Sequence, residues 1–186
     1  MKTMNIVIGV SVLAVAAAEA KIKYYNLKKR KDLEEKIQAK VFSGSAEKPV
    51  IVGVSADPDG GDGERDGSVK VDSKDINGSF GAYLDLGEVG TPGKKISVST
   101  HVYNKNSSYV KYTLVLYNVT DDRVLAQSPA KALDVKKHPE EKMTLDYVTT
   151  ENDKGDKVEL RWVQVSNDST ARDIFIDNVK VEVKKP

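Results

Sequence analysis

The densest chemistry in the chain lies between residues 57 and 67, where Asp57, Asp59, Asp62, Glu64 and Asp66 alternate with four glycines. Hard cations such as calcium take about six to eight oxygens from a loop that folds back on itself, and this composition supplies carboxylates and backbone freedom together. The spacing is not that of an EF-hand, because no Glu closes a twelve-residue loop. A bound calcium would raise the melting temperature and a chelator would lower it. Four Asn-x-Ser/Thr sequons, at Asn77, Asn106, Asn118 and Asn167, mark glycosylation sites if the chain is exported. Tyr83, Tyr103, Tyr109 and Tyr117 fall on the phase opposite to neighbouring apolar residues and are candidates for an exposed platform that stacks on sugar rings. Trp162, in step with Val158 and Leu160, reads as core.

Little else looks catalytic. His101 and His138 are the only histidines, and neither has the spacing of a metal pair or a triad partner. There is no cysteine, which removes disulfides, thiolate metal sites and a thiol nucleophile. Nucleophile-elbow, phosphate-loop and dinucleotide fingerprints are absent. Acidic pairs such as Asp121-Asp122 and Glu140-Glu141 flank turns and read as solvated. The expectation is a protein that is not an enzyme.

The elements that would position these residues are strands. From Pro49 onward apolar residues recur every second position, at Val50/Val52/Val54, Val69/Val71, Phe80/Ala82/Leu84/Leu86, Ile96/Val98/Thr100/Val102 and Val110/Tyr112/Leu114/Leu116. The pattern continues at Met143/Leu145/Tyr147, Val158/Leu160/Trp162 and Val179/Val181/Val183. Gly, Asn, Asp, Ser and Pro clusters separate the runs, as turns require. Eight to ten short strands without helices between them predict a mainly β fold, an antiparallel β-sandwich head over residues 49–186.

The segment Gly-Lys-Lys-Ile-Ser-Val-Ser-Thr-His-Val at 93–102 and the closing run Phe175-Ile176-Asp177-Asn178-Val179 resemble the jelly-roll carbohydrate-binding modules. In that family the last strand typically reads as an apolar pair, Asp, Asp or Asn, and Val. The resemblance covers about residues 50–183 and implies a jelly-roll sandwich, possible binding of glycans, and a structural calcium near the first and last strands. It thereby adds Asp177 to the acidic loop as a candidate metal ligand.

Residues 1–44 read differently. Met4 to Ala18 carry no charge, span about 22 Å as a helix, and fall short of a hydrocarbon core of about 30 Å. They fit the core of a signal peptide cleaved after Ala20, with Ala18-Glu19-Ala20 as a small-x-small site. They also fit a retained anchor, with Lys21, Lys23, Lys28, Lys29, Arg30 and Lys31 crowding the far side; that cluster would favour cytoplasmic retention, which the sequons oppose. Leu33, Ile37 and Val41 share one helical stripe, which predicts a helix that could run from about residue 4 to 42. A long N-terminal α-helix bearing a β head resembles the plan of pilin-like subunits, although the type IV leader, with a Glu five residues into the apolar stretch, is absent.

Charge narrows the function further. The net +1 divides into 10 Lys/Arg against 5 Asp/Glu in residues 1–48 and 19 against 23 in the remainder. The body has no basic excess with which to neutralise a run of phosphates, so nucleic acid is not an expected partner. The leading expectation is a non-enzymatic extracellular surface protein, a structural or adhesive subunit held in a membrane or a homo-oligomeric filament by its N-terminal helix. The alternative is a secreted carbohydrate-binding module released after Ala20.

Overall fold

A computed structural model describes residues 21–45, 49–53, 68–72, 77–104, 110–133, 140–164 and 174–185. Two antiparallel sheets pack face to face. Sheet A runs in the order β10 (Glu140–Val148), β6 (Lys95–Tyr103), β12 (Ile174–Lys184), β4 (Val69–Asp72) and β3 (Val50–Gly53), with β1 (Tyr25–Leu27) also paired to β12. Sheet B runs β2 (Ile37–Ser45), β5 (Asn77–Glu88), β11 (Lys157–Gln164), β7 (Val110–Asn118) and β8 (Arg123–Gln127), with β9 (Lys131–Leu133) on β7. The predicted sandwich is therefore present.

Alternation decides which side chains fill the space between the sheets. Phe80, Ala82, Leu84 and Leu86 from β5 meet Ile96, Val98 and Val102 from β6, with Leu160 and Trp162 from β11 and Val179 and Val181 from β12. Trp162 is fully buried, as its phase predicts. In β3 the phase is reversed from expectation. Pairing of Ile51 with Val71 turns Ile51 toward the core, and Val50 and Val52 point outward, 51% and 38% exposed.

The long N-terminal helix is not found over the described part of its range. Residues 21–42 instead contain β1, a seven-residue helix α1 (Arg30–Lys36) and the start of β2. Leu33 and Ile37 are both buried, as the stripe requires, but Leu33 lies in α1 and Ile37 begins a strand. The stretch Ile37 to Val41 alternates as well as it spirals, and pairing with β5 from Ile37↔Leu84 to Val41↔Phe80 settles the choice. Thus β1 adds to sheet A and β2 to sheet B, and α1 carries the chain from one layer to the other. Residues 25–45 belong to the sandwich, and a head beginning at residue 49 would lack an edge strand of sheet B. The apolar stretch 4–18 lies outside the described residues, and among those described no helix is long and apolar enough to cross a membrane.

Candidate functional site

The outward face of sheet B gathers an array of side chains that no single strand reveals. Register places Gln38, Tyr83, Arg161 and Val115 in one row across β2, β5, β11 and β7, with Asp85, Glu159 and Tyr117 in the next. Arg161 is the centre of this array. Its Nε and Nη2 each lie 2.8 Å from Glu159 Oε2, and its guanidinium sits 3.4 Å from the Tyr117 ring centroid and 5.2 Å from that of Phe42. Both Arg161 and Glu159 have only 12% of their side chains exposed, which fixes the pair in place. Cation–π contact and a charge-assisted hydrogen bond act together on one planar group.

Gly81 lies beside the Phe42 ring. A Cβ at Gly81 would come within 3.5 Å of the Phe42 ring and 1.8 Å of the Trp162 carbonyl oxygen. The glycine lets β11 approach closely beneath the ring, so the array depends on a backbone feature as well as on side chains.

Beside the array runs a groove of about 570 Å³, its lining including Gln38, Tyr83, Asp85, Glu159, Lys21, Lys23 and Lys157. The Tyr83 hydroxyl donates to Gln38 Oε1 at 2.5 Å, and Lys40 Nζ lies 5.0 Å from the Tyr83 ring centroid. Lys40 also reaches Glu159 at 3.5 Å, but it is 39% exposed on a flexible stem and can swing aside. Burial, followed by the charges of Glu159 and Asp85, raises the pKa of Tyr83 above its ordinary 10.0. Tyr83 therefore remains a phenol throughout the neutral range, its proton held on the hydrogen bond to Gln38. The hydrogen bond to Asp122 is the main cause of the raised Tyr117 pKa, so its hydroxyl already has a partner.

The four predicted tyrosines are not one platform. Tyr83 and Tyr117 share the outward face of sheet B, while Tyr103 lies on the outward face of sheet A beside Phe175, 4% exposed and unable to offer a ring to solvent there. Tyr109 lies outside the described residues. Even Tyr117 differs from expectation, because Arg161 stacks on one of its faces. Tyr83 is the ring best placed to receive a ligand. Gln38, Lys40, Glu159 and Arg161 escaped sequence reasoning: the first two sat in the expected helix, and the polar phase of the Val158–Trp162 run was the only trace of the others.

Other predicted sites fare unequally. Asn118 is fully buried, and its side-chain amide nitrogen donates to Asp156 Oδ2 at 2.7 Å, while its Oδ1 accepts the Asp121 backbone amide at 2.9 Å. In the folded chain that nitrogen is inaccessible to a glycosyl transferase, and the side chain closes a turn. Asn77 opens β5, and Asn106 and Asn167 lie outside the described residues. So do Asp57, Asp59, Asp62, Glu64 and Asp66. Asp177 is buried, its Oδ1 accepting the Asn178 amide at 2.6 Å at a bulge in β12. Among the described residues no group of three or more His, Cys, Asp or Glu side chains could hold a metal ion.

No family model matches the chain, and no curated protein matches it significantly. Solved structures do share its fold. The first xylan-binding CBM22 domain of Paenibacillus barcinonensis Xyn10C superposes with a TM-score of 0.60 at 13% identity, covering 91% of this chain and 99% of that one. The Stig cyclase Fisc from Fischerella sp. TAU, in complex with an indole derivative, gives a TM-score of 0.59 at 14% identity, covering 92% of each chain. The CBM22-1 and GH10 modules of Clostridium thermocellum Xyn10B, complexed with xylohexaose, give 0.54 at 14% identity over 89% of this chain and 28% of that one. At these identities the likeness is one of fold: a jelly-roll-type β-sandwich shared by glycan-binding modules and cyclases, on which function is set by local side chains.

Proposed function

We propose that this protein is a non-catalytic glycan-binding module whose ligand lies in the groove on the outward face of sheet B, with the Tyr83 ring as its stacking surface. The observation that carries this reading is Tyr83 itself, set on rigid strand β5 beside Gln38, Asp85 and Glu159 in a groove of about 570 Å³. Sugar rings combine an apolar face with a rim of hydroxyls. An aromatic ring beside carboxylate, amide and ammonium groups suits both parts. The fold likeness to xylan-binding domains makes xylan the first polysaccharide to test. The array supports this reading over a filament subunit, since the expected assembly helix is replaced over residues 25–42 by β1, α1 and the start of β2.

Tyr83→Ala is expected to weaken retention by soluble xylan in affinity electrophoresis by about tenfold or more, as loss of a desolvated aromatic anchor does. Tyr117→Ala is expected to weaken it less, because one face of Tyr117 is already taken by Arg161. Equal losses, or no retention of the unaltered protein on any of a panel of neutral polysaccharides, would sink the proposal. Asp85 and Glu159 face the groove from adjacent strands, so the same assays should score reducing ends. Both Arg161 and Lys40 engage Glu159, which favours a binding role. Release of reducing ends that Glu159→Gln abolishes would replace binding by glycoside hydrolysis.

A further inference from the structure

The stacking ring on sheet B is not bare. Lys40 Nζ stands over Tyr83, 5.0 Å from the ring centroid, and lies 3.5 Å from Glu159 Oε2. Register shows how far the side chain reaches to do this. Lys40 is opposite Gly81 and Gln38 is opposite Tyr83 across β2 and β5, while Glu159 is opposite Asp85 across β11 and β5. Gly81, Tyr83 and Asp85 are successive outward positions of β5, so the Lys40 stem starts one row before Tyr83 and its ammonium meets a carboxylate rooted one row beyond it.

Glu159 does not need Lys40 to hold its place. It already accepts Arg161 Nε and Nη2, each at 2.8 Å, and both of those side chains are only 12% exposed. Lys40 is 39% exposed, and its 3.5 Å contact is longer than the roughly 2.7–2.9 Å of a strong charge-assisted hydrogen bond. An exposed ion pair and an exposed cation–π contact are each weak enough to break and re-form readily. While they last, a hydrated ammonium occupies the space that the apolar face of a sugar ring would take over Tyr83. Resting on the reading of Tyr83 as a stacking surface, we propose that Lys40 is a latch over the sheet B site: it covers the ring between binding events, and a neutral glycan displaces it in order to stack. Salt screens an exposed ion pair. Added salt therefore loosens the latch and strengthens the binding of an uncharged ligand.

Calorimetric titration of the full chain with xylohexaose, an uncharged probe, at low and high sodium chloride tests this. Lys40→Gln is expected to bind about three- to tenfold more tightly than the unaltered chain at low salt, with an affinity that salt leaves flat. The unaltered chain should rise toward that affinity as salt is added, and Lys40→Arg, which keeps the charge, should bind no more tightly than lysine. In NMR, the Lys40 ε-methylene protons should lie upfield under the Tyr83 ring current and return to the ordinary lysine position in Tyr83→Leu. An ordinary position in the unaltered chain would overturn the latch. So would Lys40→Gln binding no more tightly than the unaltered chain while Tyr83→Ala still loses binding, a result that leaves the stacking role of Tyr83 intact. Absence of binding by the unaltered chain and by Lys40→Gln, to xylohexaose and to every neutral polysaccharide tried, would remove the glycan reading and the latch together.

Discussion

Asp153→Ala is expected to lower stability by about 3 kcal/mol, and the melting temperature by about 6–12 °C in calorimetry. The carboxylate is fully buried in a short 3-10 turn at Glu151–Asp153, yet it accepts four hydrogen bonds. Its Oδ1 receives Arg123 Nη2 at 2.5 Å, and its Oδ2 receives Tyr147 Oη at 2.8 Å, the Thr150 amide at 2.6 Å and Thr150 Oγ1 at 2.8 Å. Tyr147 belongs to sheet A and Arg123 to sheet B, so one side chain ties the two layers together at the end where the 89–94 and 149–156 connections meet. Removing it strands buried donors. The loss stays below the upper range for broken buried ion pairs because Arg123 is 39% exposed and can turn to water.

The same residue gives a pH signature. Burial alone would raise the Asp153 pKa, but the hydrogen bonds from Thr150, Tyr147 and Arg123 outweigh it and hold the group below its ordinary 3.8. A carboxylate whose folded pKa is depressed contributes its stability above the unfolded pKa and loses it as pH falls through the folded one. Asp153→Asn keeps the shape without the charge. The stability gap between it and the unaltered protein is expected to be full at neutral pH and to close in the acid region below 3.8. A gap that stays constant from neutrality into that acid range would show that the charge contributes nothing.

Gly81→Ala is expected to cost about 3 kcal/mol and to impair the sheet B site at the same time. The added Cβ would fall 1.8 Å from the Trp162 carbonyl oxygen, a backbone atom that moves only if β5 and β11 separate. The Phe42 ring, 3.5 Å away, would be in ordinary contact, so the site is disturbed through the separation of β5, which carries Tyr83, from β11, which carries Arg161 and Glu159. Chemical denaturation read beside xylan retention distinguishes the two effects. A variant of normal stability and normal retention would show that the close approach is not required. By contrast, Gly93 and Gly155 have open space around the position of a Cβ, and only their positive φ values of 71° and 85° resist substitution.

Strand existence was legible in the sequence because each core strand alternates over enough residues to leave one face apolar. The rows at 80–86, 96–102, 110–116 and 158–162 all point inward as their phase requires. β8 and β9 were missed, since a five-residue and a three-residue strand at the sheet edge bury too little to leave a period. β2 was mistaken for helix because Leu33, Ile37 and Val41 satisfy both periods, and only contact with β5 separates them. In β3 the Val50/Val52 alternation pointed the wrong way, because Ile51 between them is equally apolar and pairing with β4 turns it inward.

The tyrosines show where sequence reasoning about function stops. Alternation correctly turned Tyr83 and Tyr117 outward, and it turned Tyr103 outward too, but it carries no information about which sheet a strand joins. Sheet assignment puts Tyr103 on the other side of the molecule. By itself the sequence determined the mainly β sandwich, the buried tryptophan, the absence of cysteine chemistry and the outward phase of Tyr83, Tyr103 and Tyr117. These follow from composition and from periods of two residues, which are local properties. Only the tertiary structure decided that Arg161 stacks on Tyr117, that Tyr83 remains beside a groove, that the Asn118 sequon is buried, and that Lys40 lies over the Tyr83 ring. Each of these is a meeting of residues from different strands, fixed by register and sheet order, and no local pattern encodes such a meeting.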